Sequence, residues 1–295
     1  MARFGQVLTA MITPFTADDA LDVDGAQTLA KWLVESGNQG LVVAGTTGES
    51  PTLTHDENIE VVAAVVDAVD VPVIAGTGSN DTRAAVELTE RATEVGADGI
   101  LVVAPYYNRP SQAGLLAHFE AVAASTDLPV MLYDIPGRTG RKMSTDTILR
   151  LAQIPNVVAL KDAAGDPAET SKLISEVDSD FEVYSGDDVL TLALLAVGAV
   201  GVVGVASHWA APEMRAMISA FFDGDVKEAT RINQTLLASW DIETGDARPN
   251  PIPSKVMTRL LGLPGGRCRL PMGPEPVELE EQCRKVLSNL GRAGF

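Results

Sequence analysis

Cysteine is nearly absent: Cys268 and Cys283 are the only two among 295 residues, and no C-x-x-C spacing occurs. That rules out a disulfide framework and a cysteine-based metal site. Histidine is as scarce. His55, His118 and His208 lack ligand spacing, so no metal is expected. Positive charge is short as well, with 22 Lys and Arg against 40 Asp and Glu and a net charge of −18. Phosphate neutralisation needs clustered cations, so no nucleic-acid partner is expected. No apolar run reaches membrane-spanning length, which argues against a membrane partner. Gly76-Thr77-Gly78 and the trio Gly198, Gly201 and Gly204 do not form G-x-G-x-x-G with a following acidic residue. A nucleotide-dependent oxidoreductase therefore lacks its fingerprint. No G-x-S-x-G elbow is present either.

Apolar material is plentiful. Hydrophobic residues make up 46% of the chain, enough for a sizeable core. Short Val-, Ile- and Leu-rich runs alternate with amphipathic segments. Strands are expected at 7–12, 40–44, 71–75, 99–103, 130–133, 157–161, 182–185 and 200–205. Most lack polar alternation, as parallel strands buried on both faces do. Thr54 with Glu57 forms a capping box, Asn80 and Ser111 open two further helices, and Gly96, Gly198 and Gly224 mark helix ends. Eight strand–helix alternations predict an α/β fold, a (β/α)8 TIM barrel, over residues 1–224. An open doubly wound sheet is the alternative. Residues 225–295 read as a C-terminal helical extension, with helices at 226–240, 254–261 and 276–290. Met1-Ala2-Arg3-Phe4 leads straight into a strand-like run, so no secretory leader and a cytoplasmic location are expected.

Barrel active sites lie at the C-terminal ends of the strands. Lys161 finishes the run Val157-Val158-Ala159-Leu160. Burial there should lower its pKa and free the amine for Schiff-base chemistry. A lysine emerging to pair with Asp162 is the plainer reading. Tyr133 ends the neighbouring strand and is placed to shuttle protons, or merely to pack. The turn Gly45-Thr46-Thr47-Gly48-Glu49 offers amides and hydroxyls to a carboxylate, though such a turn is often only a turn. Arg138, in Gly137-Arg138-Thr139-Gly140, is a bidentate carboxylate clamp or a solvated loop charge.

Together these segments resemble the dihydrodipicolinate synthase / N-acetylneuraminate lyase family. The resemblance adds Pro105-Tyr106-Tyr107-Asn108, Leu160-Lys161-Asp162, Ser185-Gly186-Asp187-Asp188 and Asn250-Pro251-Ile252-Pro253 with Lys255. It implies that Lys161 holds pyruvate as a Schiff base, with no cofactor. Tyr133 would shuttle protons through Thr46 and Tyr107, the latter supplied by an adjacent subunit of a homotetramer. Thr47, Gly186 and the backbone of Val203 would contact pyruvate or line its cavity. Arg138 points to the synthase branch, whose second substrate is L-aspartate 4-semialdehyde, on the route to diaminopimelate and lysine. A lyase for a keto-sugar acid and a non-catalytic keto-acid-binding barrel are the competing readings. Ser50, His55, Asn80 and Tyr106 match the family's lysine-effector site. Asn58 and Ala84 depart from it, replacing a histidine and a glutamate, which implies weak lysine feedback.

Overall fold

The computed structural model describes residues 2–292; Met1, and residues 293–295 at the end of the expected helical extension, lie outside them. The strands are β1 (Val7–Ala10), β2 (Gly40–Val43), β3 (Val73–Gly76), β4 (Gly99–Val103), β5 (Val130–Asp134), β6 (Val157–Asp162), β7 (Glu182–Ser185) and β8 (Gly201–Gly204). Each pairs in parallel with the next, and β8 returns to β1. Closure decides against the open sheet, because Val7, Leu8 and Thr9 lie opposite Val202, Val203 and Gly204. The fold is a (β/α)8 barrel followed by helices.

The side-chain period of two sorts each strand into two environments. Leu8, Val42, Ile74, Leu101, Met131, Ala159 and Val203 belong to the cluster filling the barrel, together with Tyr133 and Tyr184. Leu41, Val43, Ile100, Val102, Leu132 and Leu160 join the larger cluster that includes helix residues. Both faces are dry, hence the continuous apolar runs.

Helices α1 (Val23–Glu35), α2 (His55–Val66), α3 (Thr82–Glu94), α4 (Gln112–Ala123), α5 (Pro136–Thr139), α6 (Thr145–Leu151), α7 (Pro167–Glu176), α8 (Thr191–Ala196) and α9 (Ser207–Phe222) occupy the connections. The capping box of Thr54 with Glu57 is present at α2, and Ser111 caps α4. Asp81, not Asn80, caps α3. Either residue can cap; the Asp81 carboxylate accepts the amide of Arg83 at 3.0 Å, while the backbone carbonyl of Asn80 accepts a hydrogen bond from Asn108 Nδ2 at 2.8 Å. Gly96, Gly198 and Gly224 take positive φ, as helix-ending glycines do. The Gly137–Thr139 segment is helical rather than a loop. A proline in its first turn and Gly140 at φ 69° delimit α5, which is too short to show a period.

The chain continues through α10 (Val226–Ile242), α11 (Ile252–Leu260) and α12 (Leu279–Asn289). α11 begins two residues before the expected start. Pro253 sits in its first turn, where no amide donor is required, so the proline-rich stretch does not exclude a helix. Trp240, Val256, Met257, Cys283 and Leu287 share one buried cluster with Trp209 and Met214 of α9 and with Val7 and Val202. These helices therefore bury their apolar faces against the barrel's outer layer rather than around a core of their own. No helix among the described residues is long and apolar enough to cross a membrane.

Candidate active site

The register of the sheet sets the first contact. Tyr133 lies opposite Lys161, and Lys161 opposite Tyr184. All three point inward, and Lys161 Nζ sits 4.4 Å from the centroid of the Tyr133 ring. Asp162 points the other way. Its carboxylate accepts Thr170 Oγ1 at 2.5 Å and Ala164 N–H at 2.9 Å. Adjacent strand residues face opposite sides, so a Lys161–Asp162 pair is not formed.

Lys161 reaches its place because position 186 carries no side chain. A Cβ on Gly186 would stand 2.9 Å from Lys161 Cγ. Lys161 as a whole is 5% exposed. Burial pulls its pKa down to about 8; Arg138 adds to the fall, while Asp188 and Glu243 oppose it. At pH 7 about one lysine in ten is then the free amine, against roughly one in three thousand at the ordinary value. Tyr133 moves the other way, up to about 12, chiefly through burial, while Arg138 and a hydrogen bond with Thr46 pull it back. It is therefore a protonated phenol at neutral pH, able to donate.

A cavity of about 160 Å³ opens over the amine, lined by Thr46, Thr47, Tyr133, Arg138, Lys161 and Gly186 together with Asp187, Asp188, Glu243, Thr244 and Asn250. The threonine turn is held firmly. Thr13 Oγ1 donates to the carbonyl of Gly48 at 2.6 Å, Asn250 Nδ2 donates to Thr47 Oγ1 at 2.9 Å, and Glu49 takes a left-handed φ of 58°. Arg138, on α5, is the cation at an otherwise acidic rim.

Two residues of the expected set are not in this cavity. Val203 is fully buried in the barrel filling, one layer down, and Val205 forms the wall instead. Tyr107 is 89% exposed, with φ at 72°, and does not line its own chain's cavity. Residues expected for the effector site lie outside it too. Ser50 shares a small void with Thr46 and Tyr133. His55 pairs with Glu87 at 3.3 Å, and Asn58 is buried against the carbonyl of Gly76. Ala84 is on α3, and Tyr106 is half-buried. Glu243 had no sequence signal: it is one acid among forty, and only the fold of α10 brings it to the cavity.

The Dihydrodipicolinate synthetase family model matches residues 3–290. The chain belongs to this family. The 4-hydroxy-tetrahydrodipicolinate synthase of Moorella thermoacetica is 49% identical over 98% of this chain and 99% of its own. The crystal structure of dihydrodipicolinate synthase from Bacillus anthracis superposes with a TM-score of 0.94 at 47% identity, covering 98% and 99% of the two chains. That of the Cyanidioschyzon merolae enzyme, with lysine bound, gives 0.95 at 44% identity, covering 99% and 100%. The family likeness thus spans the barrel and the C-terminal helices alike.

Proposed function

We propose that this dihydrodipicolinate synthetase family member is a 4-hydroxy-tetrahydrodipicolinate synthase, which condenses pyruvate with L-aspartate 4-semialdehyde through an imine on Lys161. The carrying observation is a buried lysine beside a phenol and a threonine pair, with one arginine at the rim. Lys161 Nζ attacks the ketone carbon of pyruvate, and the carbinolamine loses water to give the protonated imine. Tyr133 supplies the proton that leaves with the hydroxyl. The imine nitrogen then accepts the electron pair of a methyl C–H bond, and the proton passes to the phenolate left on Tyr133 by the previous step. The resulting enamine carbon attacks the aldehyde. The substrate amine finally displaces Lys161 as the ring closes. The imine is its own electron sink, so no cofactor is required.

Thr47 holds the pyruvate carboxylate, Thr46 passes protons to Tyr133, and Arg138 clamps the carboxylate of the second substrate. Gly186 makes room for the lysine, and Val203 contributes its backbone. Tyr107, exposed on a strained backbone, completes the relay in a neighbouring copy, which makes the working unit at least a dimer and, as is usual in this family, a homotetramer. Among the described residues, those from 225 onward form a C-terminal helical domain on the barrel that ends at 224.

Borohydride reduction in the presence of pyruvate, followed by peptide mass analysis, tests the reading. A reduced pyruvyl adduct on Lys161 is expected; active enzyme without one refutes the mechanism. Pyruvate with aspartate semialdehyde should turn over, and N-acetylmannosamine or glyceraldehyde should not; the reverse favours a keto-sugar acid lyase. Replacing Arg138 by alanine should raise KM for the semialdehyde about 10- to 100-fold more than KM for pyruvate, because a lost charge-assisted bidentate contact is worth roughly 1.5–3 kcal/mol. Equal rises for both substrates would remove the clamp.

Lysine inhibition should be weak. The effector set Ser50, His55, Asn58, Asn80, Ala84 and Tyr106 has no carboxylate at 84 for the lysine amine, and the missing contact is worth about 1.5–3 kcal/mol. An inhibition constant below a millimolar in steady-state assays would overturn this.

A further inference from the structure

Two buried carboxyls in the cavity wall have no part in the steps above. Asp188 follows β7 and is 1% exposed; Glu243 caps the end of α10 and is 8% exposed. Asp188 Oδ2 accepts the amides of Val205 at 2.7 Å and Ala206 at 3.5 Å, in the turn between β8 and α9. Among the described residues, neither its Oδ1 nor Glu243 Oε2 has a donor, and both atoms are out of reach of solvent. The two side chains line the same cavity and lie close enough for each to perturb the other's ionisation. Two such buried oxygens are satisfied when one carries a proton and the other accepts it; left bare, each incurs its full desolvation penalty. Around them stand Asp187 on the same loop, Lys161 from β6, and Tyr133 and Arg138 across the cavity.

We propose that Asp188 and Glu243 share one proton and act as positioning residues for Lys161, presenting its amine with a single negative charge instead of two. This rests on the reading of Lys161 as the imine-forming residue. Two ionised carboxylates in this dry wall would repel each other and hold the lysine as ammonium. With one proton between them, burial outweighs attraction and the amine is freed. The remaining charge sits against the amides that open α9, where a helix start favours an anion. The same bridge joins the barrel to the end of α10, next to Thr244 of the wall.

Infrared difference spectra in D2O test this, using Glu243→Gln and Asp188→Asn. Each variant should lose one carboxylic-acid C=O band at pH 7 with the carboxylate bands unchanged, because the surviving partner ionises. Loss of a carboxylate band instead, in either variant, overturns the shared proton. A wild-type titration from pH 5 to 9 reads the acid band directly should a variant fail to fold, and its absence at pH 7 is equally decisive. The pH midpoint for borohydride trapping should stay within about 0.3 unit in Glu243→Gln, although its plateau falls; removing a full charge would lower it by roughly a unit or more. Absence of any trapped adduct in the wild type would count against the imine assignment alone, since the infrared bands still judge the pair.

Discussion

Replacing Lys161 by methionine should abolish turnover and at the same time stabilise the fold. The loss should exceed about 10⁴-fold in kcat/KM, because no other group on the cavity wall can become the electron sink that makes a pyruvate methyl proton acidic. The gain follows from linkage. The folded chain holds the Lys161 amine with a pKa of about 8, against 10.5 for an ordinary lysine. Below pH 8 both states carry the ammonium, and the folded state bears the whole desolvation penalty, roughly 3 kcal/mol. Between pH 8 and 10.5 the folded amine sheds its proton while the unfolded one keeps it, so the penalty fades. Above 10.5 both are neutral and it is gone. Methionine has no charge to desolvate and a similar length. Lys161→Met should therefore unfold at a higher temperature at pH 7 by about 5 °C, with the difference shrinking toward pH 10.5. Equal stability at pH 7, or a difference that does not change with pH, would mean that the amine is solvated and the imine assignment loses its physical basis. Such a trade of stability for reactivity is common where a charge must be kept dry for chemistry.

Part of the fold and of the site was legible in the sequence. The barrel was, because most strands are buried on both faces and write near-continuous apolar runs. Lys161 and Tyr133 were, because they interrupt such runs at their C-terminal ends, and strand alternation fixes which way they point. The two expected residues whose side chains do not line the cavity are placed outside it by different causes. Val203 follows the same alternation, which puts its side chain in the barrel filling; only a backbone atom is left to face a ligand. Tyr107 points outward at 89% exposure, and a single chain holds no information about a neighbour. Glu243 and Asn250 reach the cavity only through the path of the chain after α10, which no local pattern encodes. Asn80 and Asp81 are both good capping residues in adjacent positions, so the local pattern does not decide between them, and Asp81 takes the role.

Removing either member of the ion pair between Lys255 and Glu49 should cost about 3–5 kcal/mol, while removing both should cost far less. Lys255 on α11 is fully buried, its Nζ 2.6 Å from Glu49 Oε1 and 4.1 Å from the centroid of the Phe15 ring, and it donates to the carbonyl of Arg267 at 2.9 Å. Burial lowers its pKa and the Glu49 carboxylate opposes the fall. Glu49 Oε2 in turn accepts the amide of Arg269 at 2.9 Å. Lys255→Met leaves a carboxylate in a dry site beside an apolar methyl; Glu49→Met leaves an ammonium there. The double methionine variant leaves neither, so its stability should lie within about 1–2 kcal/mol of wild type, and the coupling measured by the cycle should be several kcal/mol. Catalysis separates from stability here. Glu49 ends the turn that presents Thr46 and Thr47, and Thr47 also depends on Asn250, just before α11. The pair thus registers the C-terminal helices against the threonine turn, and the double variant should regain stability while kcat stays depressed. Denaturant titrations give the stabilities and steady-state rates give the rest. Single variants costing under about 1 kcal/mol would show the pair to be solvated. A double variant with full kcat would show that the threonines hold their place without it.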